Sequence, residues 1–213
     1  MRALITGGRG GIGVAIAEAL GDAEVTALDL ADGFDVGDPH AWRALEGEFD
    51  AAFLNAGIVT GETDIAALTD EQYVRALRAN VDGVVLGTRE LARRLMPNGG
   101  SIVATASLAG LTAVPMDPIY ALTKHAVIGF VRSMAPQLAS RGIKINALCP
   151  GFTDTAIVPS EVHAALGVPL MEPSFVAQAA LQALNDEETG RAWVVQPNRI
   201  VPFRFPNIPG PRP

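Results

Sequence analysis

Apolar and polar positions fall in short blocks that switch between two periods along the chain. Ala3-Leu4-Ile5 is a brief apolar run that breaks at Thr6-Gly7, which predicts a buried strand at the start. Gly11 to Leu20 carries apolar residues at helical spacing (Ile12, Ile16, Ala19, Leu20) and stops at Gly21. Glu24 to Leu28 predicts a second strand ending at Asp29, Phe34-Asp35-Val36 a candidate third, and His40 to Glu48 a short helix. Ala51 to Leu54 reads as a fourth strand that runs into Asn55-Ala56-Gly57. Thr69-Asp70-Glu71-Gln72 has the form of a capping box and opens a helical tract reaching Met96, with bends expected near Gly83 and Gly87. After a turn at Pro97 to Gly100 come a fifth strand, Ser101 to Ala106, and a helix, Pro118 to Ser140. Ile143 to Leu148 is a sixth strand before Pro150-Gly151, Glu172 to Leu184 a further helix, and Ala192 to Val195 a last strand.

Short apolar strands separated by helices specify an α/β protein: a three-layer, doubly wound parallel sheet covered on both faces. Such sheets bind ligands at the carboxyl ends of their strands. Thr6, Asp29, Asn55 and Ser107 all fall at those ends. Residues 1–196 are expected to form one domain. Residues 197–213 hold six prolines in 17 positions and are expected to be an extended surface tail that adds nothing to the sheet.

Composition narrows the function classes. Apolar residues make up 49% of the 213 and charged residues 18%, enough for a sizeable core and against extensive disorder. The net charge of −7 gives nucleic acid no electrostatic footing. The single cysteine, Cys149, excludes an intrachain disulfide and a cysteine-rich zinc site, and His40, His125 and His163 have no ligand spacing, so no metal is expected. Three apolar residues after Met1-Arg2 are too few for a signal peptide, and no stretch nears the roughly 20 apolar residues of a membrane helix. A cytoplasmic location and no membrane partner are the expectations.

Thr6-Gly7-Gly8-Arg9-Gly10-Gly11-Ile12-Gly13 joins the first strand to the first helix. Glycines here let the backbone turn sharply and approach a pyrophosphate at the helix N-terminus. The spacing satisfies T-G-x-x-x-G-x-G through Gly7, Gly11 and Gly13, and equally T-G-x-x-G-x-x-G through Gly7, Gly10 and Gly13. Asp29, 16 residues past Gly13, can accept from both adenosine ribose hydroxyls and repel a 2′-phosphate, which favours NAD over NADP. Arg9 pulls the other way, since a basic residue in this loop can meet that phosphate.

Tyr120 and Lys124 stand at i and i+4 on one helix face. A free phenol, with a pKa of about 10, is a poor base at neutral pH, and a nearby ammonium favours its phenolate. Ser107, 13 residues earlier at a strand end, can donate to a substrate carbonyl oxygen.

Thr6 to Gly13, Asp29, Asp35-Val36, Asn55-Ala56-Gly57, Asn80, Ser107, Tyr120 with Lys124, and Pro150-Gly151 with Thr155 together resemble the short-chain dehydrogenase/reductase family, single-domain branch, almost end to end. Asn55-Ala56-Gly57 and the lack of a second domain favour the T-G-x-x-x-G-x-G reading. The resemblance implies a Rossmann fold and an NAD-dependent oxidoreductase that interconverts a secondary alcohol and a ketone, with NADP the less favoured cofactor. It implies Asn80, Ser107, Tyr120 and Lys124 as the catalytic set. Tyr120 would move the alcohol proton, Ser107 would steady the oxygen, and the proton would leave through the ribose, Lys124 and a water held by Asn80. Asp35-Val36 would meet the adenine, Asn55-Ala56-Gly57 line the adenosine side, Lys124 hold the nicotinamide ribose, and Thr153 and Thr155 fix the carboxamide. Homodimers or homotetramers are implied, through the apolar faces of Val74 to Leu95 and Ala121 to Leu138.

Two regions depart from that pattern. Between Asp29 and Asp35 there is no room for the helix many relatives carry, so the adenosine end should be more exposed. The lid region, Ala156 to Met171, is compact and apolar (Ile157, Val158, Leu166, Val168, Leu170), as is Leu108 to Met116, which suggests a small apolar alcohol or ketone. Cys149 reads as a buried hydrophobe, and His125, Trp42 and Trp193 as structural residues. The competing reading is a dinucleotide-binding regulator that kept the fold and lost turnover. A nucleotide-sugar epimerase would need a substrate domain.

Overall fold

β1 (Arg2–Thr6) lies between β2 (Glu24–Leu28) and β3 (Ala51–Leu54) in the computed structural model, which describes residues 1–157 and 167–206. The sheet continues through β4 (Gly100–Thr105), β5 (Ile143–Pro150), β6 (Ala192–Gln196) and β7 (Arg199–Pro202), giving the order β2-β1-β3-β4-β5-β6-β7. Every neighbouring pair is parallel except β6 with β7. The chain leaves β1 toward β2 on one side and returns to β3 on the other, so the carboxyl ends of β1 and β3 form the switch point where such sheets open a crevice.

The strand period of two sorts the core into two layers. Ala3, Ile5, Phe53 and Val103 point to one face and pack with Ile16 of α1 (Gly11–Ala19) and Val176 and Ala180 of the last helix, α6 (Pro173–Asn185). Leu4, Leu54, Ile102 and Ile145 point to the other. They meet Trp42 of α2 (Pro39–Ala44) and Val127 and Val131 of α5 (Pro118–Ala139). Each fully buried side chain of this size contributes roughly 1.5–3 kcal/mol, and both faces are filled at the sheet centre, which is why Ala3-Leu4-Ile5 of β1 and Ala51 to Leu54 of β3 are unbroken apolar runs.

The long helical tract opens as expected at a capping box, with the Thr69 hydroxyl accepting from Gln72 N–H at 3.2 Å and the Gln72 amide oxygen accepting from Thr69 N–H at 2.9 Å. It runs through α3 (Asp70–Leu77), a π turn (Arg78–Asp82), α4 (Gly83–Glu90) and a second π turn (Leu91–Leu95). The departures from α geometry are these π turns, the first of which ends at Gly83. Gly83 and Gly87 serve close packing: a Cβ on Gly83 would lie 2.8 Å from Val36 Cγ2, and one on Gly87 2.8 Å from both Leu54 and the Trp42 ring.

Phe34-Asp35-Val36 forms no strand. The link from β2 is too short to enter the sheet: Asp35 accepts from Gly37 N–H (2.8 Å) and pairs with Arg78 (2.8 Å), while the Val36 carbonyl accepts from the buried Trp42 indole (2.8 Å). Residues 199–202 of the expected tail do join the sheet, as the antiparallel edge strand β7. Pro197-Asn198 makes the tight turn, with Asn198 at φ +60°, and Pro202 is tolerated at the strand's end on a sheet edge. Trp193 is half-buried with its indole N–H on Asp186 (3.1 Å). Among the described residues no helix is long and apolar enough to cross a membrane, and no cluster of His, Cys, Asp and Glu could hold a metal.

Candidate active site

The switch point is sewn together by one buried hydroxyl. Thr6 Oγ1 accepts from the N–H groups of Asn55 (3.0 Å) and Ala56 (3.2 Å), locking the ends of β1 and β3 side by side. The Asn55 amide reaches the Gly7 carbonyl at 3.5 Å and accepts from the Thr105 hydroxyl at 3.1 Å. Gly7 sits at φ +66°, and a Cβ on Gly13 would lie 2.2 Å from the Gly7 oxygen, so this loop closes only with glycine at both places. Gly10 is the N-cap of α1 and makes no side-chain cap bond, which leaves the positive helix end without a built-in partner. Gly11 faces Thr155, whose Cγ2 would meet an added Cβ at 2.9 Å, so the loop after β5 closes over the glycine loop. Thr153 is buried and bridges to Met171, and Gly151 N–H donates to the Val195 carbonyl (2.9 Å).

Asp29 caps the short 3₁₀ turn Leu30–Asp32, accepting from Ala31 N–H (3.1 Å) and from Arg9 N–H (3.0 Å). The Arg9 guanidinium is tied to Asp32, Nε on Oδ2 at 2.7 Å and Nη2 on Oδ1. That hydrogen bond raises the Arg9 pKa and lowers the Asp32 carboxyl below its ordinary range, as expected for a two-pronged pair at the surface. The corner therefore holds two carboxylates against one cation. Asp35 and Val36 stand apart from it, turned toward Arg78 and Gly83.

At the carboxyl ends of β4 and β5, Ser107, Tyr120 and Lys124 converge. Ser107 caps the 3₁₀ turn Leu108–Gly110, accepting from Ala109 N–H (3.1 Å) and donating to the Pro150 carbonyl (3.4 Å). Lys124 is buried, its Nζ donating to the Thr105 carbonyl at 2.8 Å and lying 5.5 Å from the centre of the Tyr120 ring. Burial pulls the Lys124 pKa from 10.5 down to about 8, partly opposed by the Cys149 thiol behind it. Burial acts the other way on Tyr120 and raises its pKa, with Ser107 lowering it and Asp117 raising it further. Burial, and not an ammonium holding the phenol down, is thus the dominant effect on Tyr120. Cys149 is fully buried and its pKa is pushed up to about 12 by that burial, the state of a packing residue and not of a reactive thiol. His125 is exposed and bonds the Ala121 carbonyl of its own helix (2.9 Å).

Asn80 lies in the first π turn, fully buried. Its Oδ1 accepts from Ile58 N–H (2.8 Å), and its Nδ2 donates to the Ile58 carbonyl (2.8 Å) and to Thr123 Oγ1 (3.0 Å), which in turn donates to the Tyr120 carbonyl (2.7 Å). A Cβ on Gly57 would fall 3.1 Å from Asn80 Oδ1 and 3.2 Å from Lys124 Nζ, so glycine keeps open the space both groups face. Three participants escaped the sequence reading. Asp117 is legible afterwards as an aspartate just before a helix-opening proline; Asp32 and the Thr105 carbonyl left no such mark.

A doubly wound sheet with a glycine-rich crossover at its switch point defines a Rossmann-fold protein. A family model described as enoyl-(acyl carrier protein) reductase matches residues 13–194. A 3beta-hydroxysteroid dehydrogenase of Mediterraneibacter gnavus is 33% identical over 183 residues, covering 72% of this chain and 66% of that relative's own length. Human 15-hydroxyprostaglandin dehydrogenase, whose name specifies NAD(+), is 32% identical over 74% of this chain and 70% of its own. A solved small-chain dehydrogenase in complex with NADPH has the same fold, with a TM-score of 0.78 at 24% identity over 92% of this chain and 96% of the other. The chain belongs to the short-chain dehydrogenase/reductase family.

Proposed function

We propose that the chain is an NAD-dependent oxidoreductase that interconverts a secondary alcohol and a ketone, with Tyr120 as general acid/base. The observation that carries the proposal is the meeting of Ser107, Tyr120 and Lys124 at the sheet's carboxyl edge, across from the uncapped N-terminus of α1. The residues fit a nicotinamide dinucleotide: a helix end that lacks its own cap, and a glycine loop whose closure leaves no room for a Cβ at Gly13. Gly7, Arg9 and Gly10 to Gly13 would hold its pyrophosphate, Asp29 the adenosine ribose, Asn55-Ala56-Gly57 the adenosine side, Lys124 the nicotinamide ribose, and Pro150, Gly151, Thr153 and Thr155 the carboxamide. When bound, it supplies the hydride acceptor or donor. Asp35 and Val36 would border the adenine, with Asp35 shared with Arg78.

In this reading the Tyr120 hydroxyl takes the alcohol proton and returns it in the reverse direction. Ser107 donates to the substrate oxygen as it gains carbonyl character, a contribution of the preorganised-dipole kind. Lys124, with a pKa of about 8, sits near the range where it can exchange a proton at neutral pH. Asn80 orients the first turns of α5 through Thr123. NAD is favoured over NADP because Asp29 and Asp32 outnumber Arg9, and Arg9 is already paired. An apolar substrate is favoured by Met116 and Phe152, large side chains 40% and 38% exposed on either side of the catalytic corner in sequence. Of the apolar lid positions, Val158 and Leu166 lie outside the described residues.

Self-association through α4 and α5 belongs to the same proposal. An apolar groove of about 320 Å³ between them is floored by Val85, Phe130 and Met134. The test of function is a panel of secondary alcohols and ketones, apolar ones included, followed by NADH absorbance with NAD and NADP in parallel. No turnover across the panel, despite NADH binding, would contradict the proposal.

A further inference from the structure

Asp117 is buried, 7% exposed, yet nothing in the catalytic set accounts for it. Its carboxylate receives four hydrogen bonds. Oδ1 accepts from Tyr120 N–H (2.8 Å) and the Thr60 hydroxyl (2.7 Å); Oδ2 accepts from Thr60 N–H (2.7 Å) and Gly61 N–H (3.2 Å). A helix cap needs only one such bond. The other three run to the loop that follows Asn55-Ala56-Gly57, so one side chain fastens the first turn of α5 to the opposite wall of the crevice. All four partners are donors, and among the described residues no cation pairs with it.

We propose that Asp117, together with Thr60, is a positioning pair for Tyr120 that ties the backbone of the first turn of α5, which carries the phenol, to the Thr60–Gly61 loop. The proposal rests on the reading of Tyr120 as acid/base. The pair acts at a distance from substrate, because every oxygen of Asp117 is turned into the protein. It also leaves an electrostatic mark. The groups around the phenol are the Ser107 hydroxyl from the β4 side, Lys124 on α5 with the Cys149 thiol of β5 behind it, and Asp117 at the helix start. Asp117 is the one carboxylate among them, and its charge raises the Tyr120 pKa.

The chain has two tyrosines, so in a Tyr73→Phe background ultraviolet titration of tyrosinate reads Tyr120 alone, with no substrate present. Tyr73 is an exposed residue of α3 outside the site. In that background Asp117→Asn is expected to move the titration to lower pH, while Thr60→Val, which keeps the charge, leaves it in place. Both variants are expected to lower kcat, by about tenfold to a hundredfold for Asp117→Asn and less for Thr60→Val, with the KM for dinucleotide unchanged, as for a misplaced reacting group. An unmoved or raised titration in folded Asp117→Asn overturns the proposal, as does an identical shift in both variants. If Asp117→Asn does not fold, unchanged kcat in Thr60→Val overturns it. Failure of the wild-type chain to oxidise any alcohol would sink the acid/base reading instead, while the titration still decides whether Asp117 acts on Tyr120.

Discussion

Lys124→Met should make the chain more stable at neutral pH. The side chain is buried and its pKa is lowered from 10.5 to about 8, so below pH 8 folding forces a charged amine into a medium that disfavours it. The gap of 10.5 − 8, at 1.36 kcal/mol per unit, puts the cost at about 3 kcal/mol at pH 7. Methionine fills similar volume without charge but gives up the hydrogen bond to the Thr105 carbonyl, worth about 1 kcal/mol. The net gain is about 2 kcal/mol, or roughly 4–8 °C in Tm for a domain of this size. The sign reverses with pH. Between pH 8 and 10.5 the unfolded chain holds the extra proton, so wild-type stability rises with pH across that window, and the methionine variant lacks this rise. By pH 10.5 the variant should be the less stable of the two. Urea or thermal unfolding at a series of pH values measures the difference. A variant less stable at pH 7, or one whose advantage is the same at every pH, would refute the reasoning that this lysine is held at a cost to the fold.

Other changes bear on the cofactor and the frame. Asp29→Ala should narrow the ratio of kcat/KM for NAD over NADP; an unchanged ratio means Asp29 is not the selector. Asp32→Asn frees the Arg9 guanidinium and should shift the same ratio toward NADP, and a shift toward NAD would contradict that. Gly13→Ala drives a Cβ to 2.2 Å from the Gly7 oxygen and should abolish dinucleotide binding, read by NADH fluorescence, with the far-ultraviolet spectrum retained; normal binding would show the loop is not the cradle. Gly87→Ala overpacks against Trp42 and Leu54 and should cost about 1–3 kcal/mol without changing KM, and a stabilised variant would deny the close approach.

What could be read in advance depended on how local the signal was. The strands β1 and β3 announce themselves because both faces of a parallel sheet are buried, leaving Ala3-Leu4-Ile5 and Ala51 to Leu54 without a polar residue. The Thr69–Gln72 box and the Tyr120–Lys124 spacing are equally local, and both stand in the structure as the sequence implied. Phe34-Asp35-Val36 misled because a short apolar-flanked run is a strand only if a neighbouring strand takes it, and the link from Asp29 cannot carry it there. The proline count of the tail hid β7, although Pro197-Asn198 between Trp193-Val194-Val195 and Ile200-Val201 is a hairpin signal. The bonds of Asn80 to Ile58 and three of the four bonds on Asp117 join residues 22 to 57 positions apart, a distance no pattern along the chain reports.

The central claim is that the Tyr120 hydroxyl moves the substrate's proton. Its most direct test compares wild-type and Tyr120→Phe chains on one oxidised alcohol, following NADH absorbance, with dinucleotide affinity measured separately on each. Loss of general acid/base catalysis predicts a fall in kcat of about 10² to 10⁴-fold with NADH affinity nearly intact. A Tyr120→Phe chain that turns over at the wild-type rate would contradict the account.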